Sequence, residues 1–269
     1  MSEHEIIYGR QSILEVLKAG RRAIQGLHVA PGTRPTGTAA EILAQARRLG
    51  VPVLDTDKRD LDRWTLSGHH QGMALQTALY PYVDFEDLVR VAERGPEPAF
   101  LLVFDHLQDP QNAGSLLRTA EAAGVQGIIL ATDRAVAVTP AVVRASSGAS
   151  EHLQVAMVNS LARILGLLKQ KGIWVWGLDT APELPLHTAV RLEGPVALVV
   201  GSEGEGLSRL VSSTCDGLMR LPMRGRIGSL NASIAGAIAL YEIRRQRDAT
   251  GARSQARTSA VPNSTGVLP

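Results

Sequence analysis

The sequence has few of the features that mark secreted, membrane-spanning or disulfide-stabilised proteins. It contains one cysteine, Cys215, in 269 residues, which excludes an internal disulfide and leaves no multi-cysteine zinc site. No run of about 18 apolar residues occurs, and the first five residues do not begin a charged stretch followed by an apolar one. We therefore expect a cytoplasmic protein in which Cys215 is structural.

Charge of one sign is also scarce, because the formal net charge is only +2. Basic residues nevertheless occur in local groups. Each group alone is typical of a solvated helix end, but together they permit a polyanionic partner and would contact phosphates. The groups are Arg21–Arg22, Arg47–Arg48, Lys58–Arg59, and Arg244–Arg245 with Arg247.

The first 80 residues alternate short helical and strand patterns. Apolar spacing predicts helices at 8–18, 39–49 and 61–64, and strands at 24–29, 51–54 and 72–79. These elements indicate a small α/β domain over residues 1–80. Residues 81–98, with a helix at 84–93 and a Gly-Pro break at 95–98, are predicted to be a linker.

A second domain is predicted over residues 99–247. Apolar strands at 99–104, 127–131, 173–178, 196–200 and 217–221 alternate with helices at 113–123, 140–146 and 161–171, and a last helix covers 229–246. This alternation is typical of a mainly parallel sheet with helices on both faces. Residues 248–269 are rich in Ser, Thr, Gly, Ala and Pro and are predicted to be a disordered tail.

Polar residues follow directly after three of these strands, where open α/β sheets bind their ligands. After the first strand, Asp109 or Asn112 can cap the next helix, and Arg118 follows Asn112 by six residues. After the fifth strand, Ser229 is predicted to be the N-cap of the last helix. Asn231 would then lie in its first turn with its amide in the crevice.

The glycine-rich segment Gly201–Gly206 follows the fourth strand and carries two carboxylates, Glu203 and Glu205. Glycine-rich loops after strands often bind phosphate, but these acids would repel a pyrophosphate, and the dinucleotide fingerprint is missing. A ligand that lacks phosphate or carries positive charge fits better. S-adenosylmethionine has both properties.

In their order along the chain, these segments resemble the three motifs of the SpoU (TrmH-like) 2′-O-ribose RNA methyltransferases. The matching residues are Asn112-Ala113-Gly114 with Arg118, then Gly201–Gly206, then Leu221-Pro222-Met223 followed by Ser229-Leu230-Asn231. In the first domain, Ile7-Tyr8-Gly9 and His70-Gln71-Gly72 resemble the subgroup that methylates a guanosine in the peptidyl-transferase loop of 23S rRNA. The resemblance covers residues 5–247. Leu221 and Ala232 replace the usual isoleucine and valine.

The resemblance implies a SPOUT-type α/β fold with a C-terminal trefoil knot, an exception to the usual avoidance of knots, preceded by a small α/β RNA-binding domain. It also implies a homodimer. It places S-adenosylmethionine against the backbone of Gly201, Leu221 and Leu230, and the catalytic crevice at Asn112, Arg118, Glu203, Ser229 and Asn231. No metal is expected, because His69–His70 has no matching group of ligands.

We expect methyl transfer to a ribose 2′-hydroxyl, in which alignment alone supplies roughly 7 to 11 kcal/mol in well-oriented cases. Arg118 would accept the proton or stabilise the developing alkoxide, and the second role is favoured because a guanidinium normally stays protonated. Three alternatives remain: a tRNA or rRNA-adenosine methyltransferase of the same family, a non-catalytic ribosome-associated RNA-binding protein, and a nucleotide-dependent oxidoreductase.

Overall fold

The structure, a computed structural model, describes residues 4–66, 68–180, 184–187 and 192–259, with side chains to Thr250. The first domain contains a four-stranded sheet in the order β1-β4-β2-β3, in which β4 is antiparallel to both of its neighbours. Its strands are β1 (His4–Tyr8), β2 (Ile24–Val29), β3 (Val53–Asp55) and β4 (Met73–Ala78), and its helices are α1 (Arg10–Ala19), α2 (Thr38–Arg48) and α3 (Lys58–Trp64).

Helix α1 forms because its apolar residues recur at helical spacing. It buries Ile13, Leu14 and Leu17. The helix ends at Gly20, which adopts a left-handed φ of 61° and whose backbone amide donates the cap hydrogen bond to Val16 O. The sequence did not predict β1, since its five residues are too short to show a clear alternation and Tyr8 continues the apolar pattern of α1.

The second domain contains a six-stranded sheet in which all strands are parallel, in the order β10-β8-β9-β5-β6-β7. The predicted α/β class with a mainly parallel sheet is confirmed. Every residue of β5, β6 and β9 is buried, because helices cover both faces. The strands are β5 (Phe100–Phe104), β6 (Gly127–Ala131), β7 (Val155–Val158), β8 (Trp174–Leu178), β9 (Val196–Val200) and β10 (Gly217–Met219).

The helices divide between the two faces of this sheet, as the buried clusters show. One face carries α5 (Pro110–Ala122), α6 (Pro140–Ala145), a short 3₁₀ helix (Ala149–His152) and α9 (Ala232–Ser259). The other face carries α4 (Phe85–Glu93), α7 (Leu161–Gln170) and α8 (Arg209–Thr214).

Two predicted boundaries differ from the structure. Helix α4 lies in the predicted linker, but Leu88, Val89 and Ala92 are buried against the sheet, so this helix belongs to the second domain. The predicted disordered tail does not begin at residue 248, because α9 continues to Ser259. No proline interrupts the segment before Pro262, and its Ala and Arg residues favour a helix. Residues 260–269 lie outside the described residues.

The two domains are joined by a buried ion pair. The Arg22 side chain donates from Nε and Nη2 to the two carboxylate oxygens of Glu151, at 2.9 and 2.7 Å, and from Nη1 to Glu5 at 2.6 Å. Arg21 donates to the backbone of Pro81 and the hydroxyl of Tyr80. The prediction that the Arg21–Arg22 group contacts phosphates is therefore wrong, because both guanidinium groups bind within the protein.

In the predicted group near the C-terminus, Arg244 and Arg247 also bind within the protein. Arg247 is buried and donates to the carbonyl oxygens of Pro98, Ala99 and Gly194. Burial lowers the pKa of Arg247 to about 10. Arg244 pairs with Glu97, so these two arginines hold the middle of α9 against the rest of the second domain and do not form a phosphate-binding face. In the described part of the chain, no helix is long and apolar enough to cross a membrane.

Candidate active site

Three loops after β5, β9 and β10 meet at the carboxyl edge of the parallel sheet. The buried Asp105, directly after β5, helps to hold two of these loops together by accepting a hydrogen bond from the backbone of Ser208 at 2.6 Å. Asp109 is the N-cap of α5 and accepts from the backbone of Asn112 at 3.0 Å. The loop after β5 and the N-cap Asp109 therefore hold Asn112 at the crevice in a fixed orientation.

Four side chains from these loops form one hydrogen-bonded group, here called the Asn–Glu cluster: Asn112, Glu203, Asn231 and Ser233. Asn112 Nδ2 donates to Glu203 Oε1 at 2.9 Å, and Asn231 Nδ2 donates to Asn112 Oδ1 at 2.9 Å and also to Glu203 Oε1. Asn112 thus meets Glu203 and Asn231, which follow it in the chain by 91 and 119 residues, at one point. The predicted convergence of Asn112, Glu203 and Asn231 is present in the structure.

The start of α9 differs from the sequence-based prediction. Asn231, rather than Ser229, caps the helix, because its Oδ1 accepts from the backbone amides of Ser233 and Ile234 at 2.9 and 3.2 Å. The sequence predicted Ser229 at this position; Asn231 differs from Ser229 in that its side-chain amide also donates to Asn112, although Asn231 itself is exposed. Sequence reasoning missed Ser233, whose hydroxyl donates to Asn231 Oδ1 at 2.6 Å and to Asn112 Oδ1 at 3.3 Å. Its position two residues after Asn231 was the available signal.

A pocket of about 790 Å³ opens beside this cluster. It is lined by the predicted cofactor residues Gly201, Leu221 and Leu230, and by Ser229 and Asn231. Sequence reasoning missed two further lining residues, Asp179 and Thr180. They follow β8 at the same edge of the sheet, so strand position was the signal that could have found them.

The glycine-rich loop after β9 closes tightly on itself. Ser202 and Gly206 exchange two backbone hydrogen bonds of 3.1 and 3.2 Å. A Cβ atom on Gly201 would lie 2.2 Å from the carbonyl oxygen of Gly206. Glycine is therefore required at 201 for the loop to approach its own backbone.

A second pocket, of about 820 Å³, lies on the other side of the same loop. Asn112 and Glu203 line it together with two cationic residues, Arg134 and Arg209. Glu203 lines both pockets. Its Oε2 atom makes no hydrogen bond within the described residues, so one carboxylate oxygen remains available at the boundary between the two spaces.

Among the predicted catalytic residues, Arg118 is the one that neither joins the Asn–Glu cluster nor lines the pocket beside it, whereas Ser229 lines that pocket without joining the cluster. Arg118 lies exposed on α5, it lines neither pocket, and its Nη1 donates to Ser147 Oγ at 3.2 Å. A separation of six residues places it nearly two turns beyond Asn112. Within one chain, the site is therefore a carboxylate held by two amides, which in turn accept hydrogen bonds from the Ser233 hydroxyl.

Cys215 is unsuited to nucleophilic chemistry. It is partly buried behind α8, and burial together with the negative charge of Asp216 raises the pKa of its thiol to about 12. Its Sγ donates to Val211 O at 3.3 Å. Among the described residues, no group of three or more His, Cys, Asp or Glu side chains could hold a metal ion.

Comparison with known proteins agrees with this arrangement of an α/β sheet and a glycine-carboxylate loop. The model of the SpoU rRNA methylase family matches residues 99–241, and the model for RNA 2′-O ribose methyltransferase substrate binding matches residues 6–83. The chain belongs to the SpoU family of RNA methyltransferases, as the resemblance in the sequence predicted.

Individual relatives show the same similarity over nearly the whole chain. A Bacillus subtilis protein named as a TrmH family tRNA/rRNA methyltransferase is 40% identical over 251 residues, which are 93% of this chain and 98% of that protein. The SpoU methyltransferase AviRb of Streptomyces viridochromogenes, solved with S-adenosylmethionine, superposes with a TM-score of 0.76 at 25% identity and covers 92% of each chain.

An S-adenosylmethionine-bound rRNA methyltransferase of Sinorhizobium meliloti superposes with a TM-score of 0.73 at 25% identity, over 90% of this chain and 87% of that one. The cofactor expected from the sequence is thus confirmed for the family. The trefoil knot stays a prediction.

Proposed function

We propose that the protein transfers a methyl group from S-adenosylmethionine to a ribose 2′-hydroxyl of RNA in the cytoplasm, and that its target is a guanosine in the peptidyl-transferase loop of 23S rRNA. The observation that carries the proposal is the convergence of Asn112, Glu203 and Asn231 at the mouth of the pocket lined by Gly201. The choice of guanosine rests on the resemblance of the first domain alone.

The residues of this pocket fit S-adenosylmethionine. Gly201, Leu221 and Leu230 offer backbone groups and apolar surface to the adenosine, and the loop presents carboxylates rather than cations. Those carboxylates disfavour a phosphate but tolerate a sulfonium. When bound, the cofactor supplies an activated methyl group on a positively charged sulfur.

The Asn–Glu cluster is assigned a positioning role. The two amides hold Glu203 Oε1, and the free Oε2 can accept a hydrogen bond from a ribose hydroxyl or attract the sulfonium charge. Because each amide also binds its neighbour, the carboxylate cannot turn without breaking several hydrogen bonds. Such preorganisation lowers the cost of aligning the reacting atoms.

Arg118 then has to reach the ribose from a second copy of the chain. Three large apolar side chains, Ile234, Ile238 and Tyr241, lie exposed on one stripe of α9, and this stripe begins directly after Asn231. A two-fold pairing along the stripe would place a partner beside the Asn–Glu cluster. Helix α5, which carries Arg118, packs closely against α9, since a Cβ on Gly236 would lie 2.8 Å from Leu116. The expected homodimer thus offers a route for Arg118 to a neighbouring pocket.

Mixing two inactive variants tests this arrangement. Arg118→Ala and Glu203→Gln are each expected to lose methyl transfer from labelled S-adenosylmethionine. If Arg118 acts on the partner's pocket, mixed dimers regain one intact site each, and the mixture recovers about a quarter of the wild-type activity. If both residues act within one chain, the mixture stays inactive, and the dimer assignment is wrong.

The nature of the reaction is tested separately. Isothermal calorimetry should detect S-adenosylmethionine binding to the wild type. Ribose-methylation mapping of total RNA, with and without the protein, should show one added mark on 23S rRNA. A mark on tRNA or on an adenosine would replace the proposed target, and no S-adenosylmethionine binding would favour the non-catalytic RNA-binding alternative. Glu41→Gln, on the exposed surface of α2, is the matched control for Glu203→Gln.

A further inference from the structure

The first domain contains a basic pocket that the reaction site does not use. It has a volume of about 480 Å³ and lies between the loops around residues 30–36 and 70–72 and the starts of α1 and α3. Its lining includes Arg10, Arg34 and Lys58 and no carboxylate residue. We refer to it as the first-domain pocket.

The cations of this pocket are not neutralised by the protein. Arg34 and Lys58 are exposed, and neither forms an ion pair with a carboxylate in the described part of the chain. Other exposed arginines do form such pairs: Arg63 binds Asp60 and Arg90 binds Asp87, both at 2.8 Å. The pocket therefore keeps positive charge available for an external anion.

Arg10 is held in place at the pocket wall. Its backbone amide donates to Gln71 Oε1 and its Nη2 donates to Gln71 O, both at 3.1 Å. Gln71 and Gly72 have left-handed φ values of 52° and 80°, and a side chain at 72 would lie 2.4 Å from Thr33 Oγ1. The Nε of Arg10 is buried without a partner, so the loop fixes this guanidinium without satisfying its donors.

Contacts across the domain junction connect Arg10 to Arg118. The Arg144 guanidinium lies 5.3 Å from the ring centre of Tyr8, and its Cγ would lie 3.9 Å from a Cβ on Gly9, the neighbour of Arg10. Ser147 donates its backbone amide to Arg144 O at 2.9 Å and receives the hydrogen bond from Arg118. Arg10, Arg144 and Arg118 thus follow one another across the surface, and we call them the arginine track.

None of the three arginines of the track forms an ion pair with a carboxylate among the described residues. Guanidinium groups that form no ion pair and follow one another across the surface can bind successive phosphates of a nucleic-acid strand. The track also ends at the residue assigned to the ribose. An extended RNA backbone carries repeating negative charges on its phosphates, whatever its sequence. A protein partner would need carboxylates in the same repeating arrangement.

We propose that the first-domain pocket binds a phosphate of the substrate RNA, and that the strand continues along the arginine track to Arg118 of the same chain. This inference rests on the proposed function for the identity of the polyanion. It adds the residues that hold the substrate and the path that the strand takes.

The test measures how RNA binding depends on salt. Binding of a fluorescein-labelled single-stranded 23S rRNA fragment is followed by anisotropy at increasing salt concentrations. Each phosphate contact removed should lower the slope of log affinity against log salt by about 0.7. The double variant Arg34→Gln/Lys58→Gln removes the one phosphate contact of the pocket and should therefore lose about 0.7 in slope and about fivefold in affinity at 0.1 M salt, and Arg144→Gln should lose a similar amount.

The matched control is the double variant Arg94→Gln/Arg163→Gln, which removes the same charge from two exposed arginines away from the track. Equal losses in both double variants, or no loss in either, would overturn the proposal. So would weakened binding to anionic lipid vesicles with unchanged RNA binding. Thermal unfolding of each variant identifies any folding defect, and the exposed pocket residues keep the test valid if Arg144→Gln is destabilised.

Methyl-transfer kinetics separate this proposal from the proposed function. The pocket variant should raise the KM for RNA while keeping kcat at saturating RNA and leaving the affinity for S-adenosylmethionine unchanged. If the wild type transfers no methyl group but the slopes change as expected, the RNA path stands and the proposed reaction fails. If methyl transfer proceeds and the slopes do not change, the path alone is wrong.

Discussion

Removal of the Glu151 carboxylate should destabilise the protein strongly. The side chains of Arg22 and Glu151 are 0% and 1% exposed, and they form two charged hydrogen bonds. Burial alone would lower the pKa of Arg22, but the hydrogen bonds and charge of Glu151, and then of Glu5, raise the pKa above its ordinary value. In the folded protein Arg22 is therefore a buried cation, and because a guanidinium normally stays protonated, removal of Glu151 would leave that charge with less compensation.

The size of the effect follows from this burial. Glu151→Leu would leave a buried guanidinium with Glu5 as its remaining carboxylate partner, and breaking a buried pair in this way costs about 3 to 5 kcal/mol. For a chain of this size, that corresponds to a Tm lower by about 6 to 20 °C. Replacing both members, Arg22→Met with Glu151→Leu, removes the uncompensated charge and should cost less than Glu151→Leu alone.

Calorimetric and urea unfolding of the two single variants and the double variant form the measurement. Trp64 lies in the first domain and Trp174 in the second, so fluorescence from single-tryptophan versions follows each domain separately. The two transitions should separate in Glu151→Leu, because the buried pair joins the domains. A loss below about 1 kcal/mol, or a double variant as unstable as the sum of the single variants, would refute the reasoning.

Three further outcomes are expected. Gly201→Ala should weaken S-adenosylmethionine binding by at least about fivefold in calorimetry, because overpacking costs about 1 to 3 kcal/mol, whereas Gly166→Ala, with open space around it, should not change it. Cys215 should resist iodoacetamide at pH 8 in the folded protein and react after unfolding, since its pKa of about 12 keeps it protonated; rapid native alkylation would contradict this assignment. Burial alone would raise the pKa of Glu15, but hydrogen bonds from His152 and Lys18 lower it overall. Above about pH 4.5, Glu15→Gln should therefore be less stable than the wild type. This difference should disappear as the pH falls through the lowered pKa of Glu15. A difference that persists at pH 3 would exclude this ion pair as its source.

The order of helices and strands in the second domain could be predicted from the sequence because long apolar strands alternate with helices there. β5 and β9 are uniformly apolar, as buried parallel strands must be. The four residues of β7, Val155–Val158, and the six-residue helix α8 were missed, since such short segments carry little periodic signal.

The site could be predicted only in part. The positions of Asn112, Glu203 and Asn231 followed from a rule about strand ends, which holds for any parallel sheet. The prediction of Ser229 as the N-cap of α9 was wrong, because Asn231, two positions later, is a residue type that caps a helix equally well and takes that role. The internal use of Arg22 and Arg247 was also hidden, since a cluster of arginines has the same sequence whether it binds phosphates or backbone carbonyls.

Trp174 is a further residue whose surroundings could not be predicted from the sequence. Trp174 and Trp176 share one face of β8, and their alternation alone would predict that both pack in the protein. Trp174 is 57% exposed, whereas Trp176 packs against the core. The strand lies next to the short edge strand β10, and the helices of the described part of the chain leave more than half of Trp174 exposed. Alternation along a strand predicts which residues share a face, but it does not predict how far a covering helix extends.

The buried Arg22–Glu151 pair fixes the distance between the two halves of the molecule. A phosphate held in the first domain therefore stands at a constant distance from the reacting ribose, whatever the base between them. Selection of the nucleotide would then depend on how many nucleotides span that distance and on how the RNA folds between the two points. An RNA with the correct base but an added or deleted nucleotide in this interval should be a poor substrate.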